Sequence, residues 1–102
     1  MSSIFATNQK KAIVIEGVNF TIKKLSLEKQ LTIAALYNAN KPEEAILALI
    51  QNCVEQWDAK DDLNNPVVLN NDSIKALSVD VANKLSDEIM NFNGLNKEQV
   101  KN

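Results

Sequence analysis

Apolar side chains recur at every second position on both sides of a Glu16-Gly17 pair, in the run AIVIEGVNFTIKK (12–24). A loop of two or four residues brings Ile13, Ile15, Phe20 and Ile22 to one face, whereas a three-residue loop scatters them. Together with the β-branched residues, this predicts a β-hairpin over 12–24. A lone hairpin is marginal in water, so its apolar face must cover something, and only the segments that follow are available.

From residue 26 the period lengthens to that of a helix. Ser26 can cap a helix over about 27–38, with Glu28 favourably placed in its first turn. Leu27, Leu31, Ala34 or Ala35, and Tyr37 or Asn38 make its apolar line. NANKP stops it, and Pro42 opens the next helix, where its missing N–H costs nothing. Ile46, Leu49, Ile50, Cys53, Val54 and Trp57 form the strongest i, i+3, i+4, i+7 stripe in the chain and predict a core helix over about 42–58. A polar stretch including DDLNNP follows, long for a small domain. Asn71 or Asp72 then caps a short turn over 72–77, and Ser78 caps a last helix over about 79–92. Val81, Leu85, Ile89 and Phe92 share one face of it, and Gly94 suits a left-handed stop.

The expected fold is mainly α with an N-terminal β-hairpin, an α+β domain with a small bundle of three to four helices. One globular domain spans 12–94, between a flexible arm (1–11) and a flexible tail (95–102). Its expected core anchors are Phe20, Leu49, Ile50, Trp57 and Leu85. Trp57 has a second reading, as a partner hot spot rimmed by the acids after it.

With 102 residues the chain has room for one core. All eleven basic residues are lysine, with no arginine for bidentate phosphate or carboxylate recognition and no histidine for general base work. The net charge of −2 hides an asymmetry. Residues 1–41 carry +4 and residues 42–102 carry −6, which suits solvated faces, head-to-tail self-association that weakens with salt, or docking on a basic partner. Cys53, alone in an apolar run, reads as a buried inert thiol in a reducing compartment. The first residues lack the apolar stretch of a signal peptide, and no run approaches the ~20 apolar residues of a membrane span. The expectation is a soluble, cytoplasmic protein.

CVEQWDAKDDLNNPVVLNND (53–72) gathers enough oxygen ligands to raise the question of a metal. Counted as an EF-hand from Asp58, it places Lys60 third, Leu63 sixth and Leu69 twelfth, where the ion needs an oxygen ligand, a glycine and a glutamate. Zinc lacks ligands, with one cysteine and no histidine. Asp58, Asp61 and Asp62 are close enough for acid–base work, but a polar loop does not raise a carboxyl pKa. Two glycines leave no phosphate-cradling loop. Lys10, Lys11, Lys23 and Lys24 could attach weakly to nucleic acid, though lysines beside strands more often deter edge-to-edge pairing. No cofactor and no enzymatic activity are expected. Asp58, Asp61, Asp62, Lys23 and Lys24 are the candidate partner-binding residues.

The order VNFTIKKLSLEKQL, AILALIQNCVEQWDAKDDLNNPVVL, NNDSIKAL and ANKLSDEIMNFN resembles the short form of the tail assembly chaperones of long-tailed bacteriophages, over about residues 12–93. The resemblance implies a non-catalytic protein that binds the tape measure protein, keeps it soluble and assists tail tube subunits to assemble. It further implies a place in the host cytoplasm and absence from the mature virion. A structural tail or head component and a small DNA-binding regulator are the alternatives. Many members of that family have a longer form made by frameshifting. Val100-Lys101-Asn102 can be encoded with a slippery A-rich heptamer, so the resemblance raises a linker role for 95–102.

Overall fold

The computed structural model describes residues 9–95. Strand β1 (Lys10–Ile15) pairs antiparallel with β2 (Val18–Lys23), with Ile15 opposite Val18. The turn is therefore the two-residue Glu16-Gly17, with φ of 51° and 76°. Two left-handed residues give a turn whose twist matches that of the strands. Glycine takes this conformation freely, but a glutamate there is strained by about 1–2 kcal/mol. The Glu16 carboxylate is held by Lys84, which ties the turn to the last helix. Pairing begins at Lys10, so the expected arm loses its last two residues to β1. Residues 1–8 lie outside the described part.

Helix α1 (Leu27–Asn38) starts where Ser26 accepts a hydrogen bond from the Lys29 amide. It ends on Asn40, at φ 61°, with the Lys41 amide donating to the Leu36 carbonyl. Its buried residues are Ile33 and Tyr37, while Leu27 and Leu31 are 76% and 63% exposed. The expected line through Leu27 and Leu31 therefore faces outward. Two apolar lines run along this helix, and the second, through Ile33 and Tyr37, turns toward helix α2 (Pro42–Cys53).

Helix α2 ends at Cys53, and Val54–Trp57 is a third strand, β3, entered without a connecting residue. The helix expected over 42–58 is thus a helix and a strand. Strand β3 pairs antiparallel with β2 in the order β1-β2-β3. Phe20 sits opposite Trp57 and Ile22 opposite Val54, which leaves Glu55 as an extra residue, a bulge. The bulge puts Val54 and Trp57 on the same face although they are three positions apart, so the strand imitates helical spacing.

Helix α3 (Asn71–Lys75) is capped by Asn70, one residue earlier than expected, in a reciprocal bond pair with Ser73. Helix α4 (Val79–Phe92) starts at Ser78. It closes with Gly94 at φ 70° and the Leu95 amide bonded to the Met90 carbonyl, a left-handed cap that satisfies the last carbonyls. Residues 96–102, including the codon reading at Val100–Asn102, lie outside the described part.

The molecule is α+β: a three-stranded antiparallel sheet whose inner face lies on helices, four of them among the described residues. Ile13, Ile15, Phe20 and Ile22 meet Leu49, Ile50, Leu85 and Ile89 in one core, the last four essentially without exposed surface. Asn93 fastens the end of α4 to the connection between β2 and α1 by accepting from the Leu25 amide at 2.8 Å. No helix among the described residues is long and apolar enough to cross a membrane.

Candidate functional site

Two of the three aspartates in the loop that follows β3 are bonded within the molecule. Asp58 accepts from the Asn19 amide and from Asn19 Nδ2, both at 2.7 Å, and these bonds hold its carboxyl below the usual range. Asp61 Oδ1 accepts from the amides of Leu63 and Asn65, each at 2.9 Å. Asn64 adopts φ 66°, and Lys60 and Pro66 bridge the base of the turn. Trp57 donates from Nε1 to the Val67 carbonyl at 2.8 Å, and its ring stands edge-on to Phe20 with centroids 6.1 Å apart. Trp57 is half-buried, a bracket between sheet and loop, whereas Phe20, Leu49, Ile50 and Leu85 are buried. Asp62 stays exposed, as does Leu63 at the tip, 81% accessible.

The five candidate partner residues do not converge. Asp58 bonds at the Asn19 end of β2, while Lys23 and Lys24 lie at the other end, roughly 14 Å away at strand rise. Lys24 Nζ sits 5.3 Å over the Phe92 ring, and Lys23 is half-buried beside Cys53. Burial pushes the Cys53 thiol up to about 12, against a smaller lowering by Lys23, so it is a protonated core side chain at neutral pH. Among the described residues no group of three or more metal-ligating side chains gathers.

The fold opens elsewhere. Ile46, Leu47 and Ile50 of α2, Ile74 of α3, Leu77 and Val79 line an apolar groove of about 460 Å³. Its cause is local. The run AILALI makes α2 apolar over more of its circumference than one neighbour can cover. Ala45, Leu49, Ile50 and Cys53 go to the core, and Ile46 and Leu47 are left on the flank. Helix α3 packs on that flank with Ile74, but its five residues span about 7 Å against about 18 Å for α2. Val79, 75% exposed, extends the apolar rim, and Glu43, Lys75 and Asn83 border it with polar groups. The volume is within the range of ligand-binding clefts, about 300–1,000 Å³. An open trough between helices with a polar border also suits the apolar side of a helix.

Sequence reasoning missed the groove because each lining residue falls on an ordinary amphipathic face. The available signal was the width of AILALI, together with Val79 at the first position of a helix. No family model, curated protein or solved structure matches the chain.

Proposed function

We propose that the protein is a non-catalytic tail assembly chaperone of a long-tailed bacteriophage. In this reading it binds the tape measure protein in the host cytoplasm, assists tail tube assembly and leaves before the virion is complete. The open apolar groove along α2 is the observation that supports it. A long helical partner offers side chains at i, i+4 and i+7, and such a row matches a trough lined by Ile46, Leu47 and Ile50. Each site is small, so single contacts are weak, and many copies along one chain gain by avidity.

Co-expression with the tape measure protein tests the reading. The tape measure stays soluble and co-purifies with the wild-type chain, and Leu47→Asp weakens that capture. A tape measure equally insoluble with and without the chain overturns the proposal, as does finding the chain in purified virions.

A further inference from the structure

Helix α2 is covered along its groove flank by a helix much shorter than itself. The 12 residues of α2 run for about 18 Å and the 5 of α3 for about 7 Å, so about 11 Å of that flank stays open. Apolar side chains at i, i+4 and i+7 of a helix span about 10.5 Å. The open length therefore takes three large side chains from two turns of a partner helix. Ile46, Leu47 and Ile50 would receive them on the α2 side, and Ile74 and Leu77 on the other.

Two charged side chains border the groove, Glu43 on the α2 wall and Lys75 on the α3 wall, and both are exposed. Among the described residues neither forms an ion pair or a side-chain hydrogen bond, whereas the neighbouring Glu44 already holds Lys41 at 3.8 Å. A helix lying in the trough presents one flank to each wall. A cation along the α2 side and an anion along the α3 side would pair with both charges, and two like flanks would satisfy only one.

We propose that the groove selects a two-turn helical motif with unlike flanks. Its apolar row at i, i+4 and i+7 lies in the trough, with Lys or Arg facing Glu43 and Asp or Glu facing Lys75. Turning a helix end for end in a trough exchanges its two flanks. The two wall charges therefore also set the direction in which the bound helix runs. This inference rests on the reading of the groove as the contact surface for a helical partner, and it adds the motif and the polarity that the surface selects.

Fluorescent helix-forming peptides and the purified full chain test it. Three peptides share the apolar row and differ at the flanks, which are lysine on one side and glutamate on the other, all lysine, or all glutamate. The mixed peptide binds about two- to fivefold more tightly than either uniform one, the range of exposed charge pairs. Glu43→Gln/Lys75→Gln removes this preference and retains binding, whereas Leu47→Asp weakens binding of all three; circular dichroism verifies that the variants fold. A nitroxide at the N-terminus of the mixed peptide broadens amide resonances at one end of α2, and Glu43→Lys/Lys75→Glu moves the broadening to the other end. Equal affinity for the three peptides overturns the proposal, as does tightest binding of the lysine peptide, which the net charge of −2 alone would favour. So does broadening that stays in place after the charges are exchanged. Absence of binding by every peptide overturns it too, and capture of the tape measure in co-expression then shows separately whether the chaperone reading stands.

Discussion

Residues 58–70 and the groove along α2 are both surface regions attached to the same helix-to-strand segment, and they use their bonding capacity in opposite ways. In the loop, Asp58, Asp61 and the Trp57 indole are bonded within the molecule, and the backbone is held in a defined turn. In the groove, Ile46, Leu47 and Val79 keep apolar surface in contact with water. Two accepted hydrogen bonds fix each of these carboxylates in place, although each keeps acceptor capacity toward water. Apolar surface left in water gains about 25 cal/mol per Å² when something covers it. Asp58, Asp61 and Trp57 thus hold the loop's shape, whereas the groove keeps apolar surface that gains free energy when covered.

Substitutions in the two regions should separate these roles. Trp57→Ala removes the bracket between Phe20 and Val67, and because the ring is half-buried the loss is about 2–3 kcal/mol, near the low end for such truncations. Urea unfolding measures it, and a loss below about 1 kcal/mol would show that the loop stands without the indole. Asp61→Ala leaves the amides of Leu63 and Asn65 to water and costs about 1 kcal/mol, with faster hydrogen exchange confined to 59–67. Leu47→Ala in the groove costs less than about 1 kcal/mol, since the side chain is partly solvated already. A loss as large as that of Trp57→Ala would place Leu47 in the core and remove the contrast.

The pH dependence is smaller and has a definite sign. The folded Asp58 carboxyl titrates below its ordinary value of 3.8, so it binds fewer protons than the unfolded chain. Its contribution is complete above that ordinary value and is lost as the pH falls through the lower, folded one. Asp58→Asn should flatten this acid limb by lowering stability near neutrality, with little change below the folded pKa, where the carboxyl is already protonated. Salt gives the smallest effect. Raising it from 0.1 to 1 M shortens the Debye length from ~10 to ~3 Å, so the exposed Lys10–Glu55 and Lys84–Glu16 pairs weaken and the urea midpoint falls slightly.

Much of the fold was legible in local signals. Glu16-Gly17 between alternating apolar residues forces the hairpin, and Ser26, Ser78 and Gly94 mark helix ends by their capping chemistry. What was not legible depended on partners distant in sequence. Val54 and Trp57 fit a helix stripe as well as a bulged strand, and only the free edge of β2 decides for the strand. In α1 two apolar lines compete, and the position of α2 selects Ile33 and Tyr37 over Leu27 and Leu31. The aspartates of the loop drew attention as possible ligands, yet Asp58 and Asp61 accept from amides of β2 and of the loop itself, and of the three only Asp62 has no donor among the described residues and stays exposed. The groove depends on α3 being too short to cover α2, a mismatch of lengths in space.

The direct passage from Cys53 in α2 to Val54 in β3 has a mechanical side. A loop between two elements provides slack, and here there is none. Ile50 forms both the groove wall and the core, and Val54 lies four residues farther along, already in the sheet. With no connecting residue, the orientation of α2 and the pairing of β3 with β2 constrain each other directly. The one irregular point on that route is the Glu55 bulge, which Lys10 holds from the far strand at 2.8 Å. The groove wall and the sheet are thus one continuous piece of backbone, joined through the buried residues of α2.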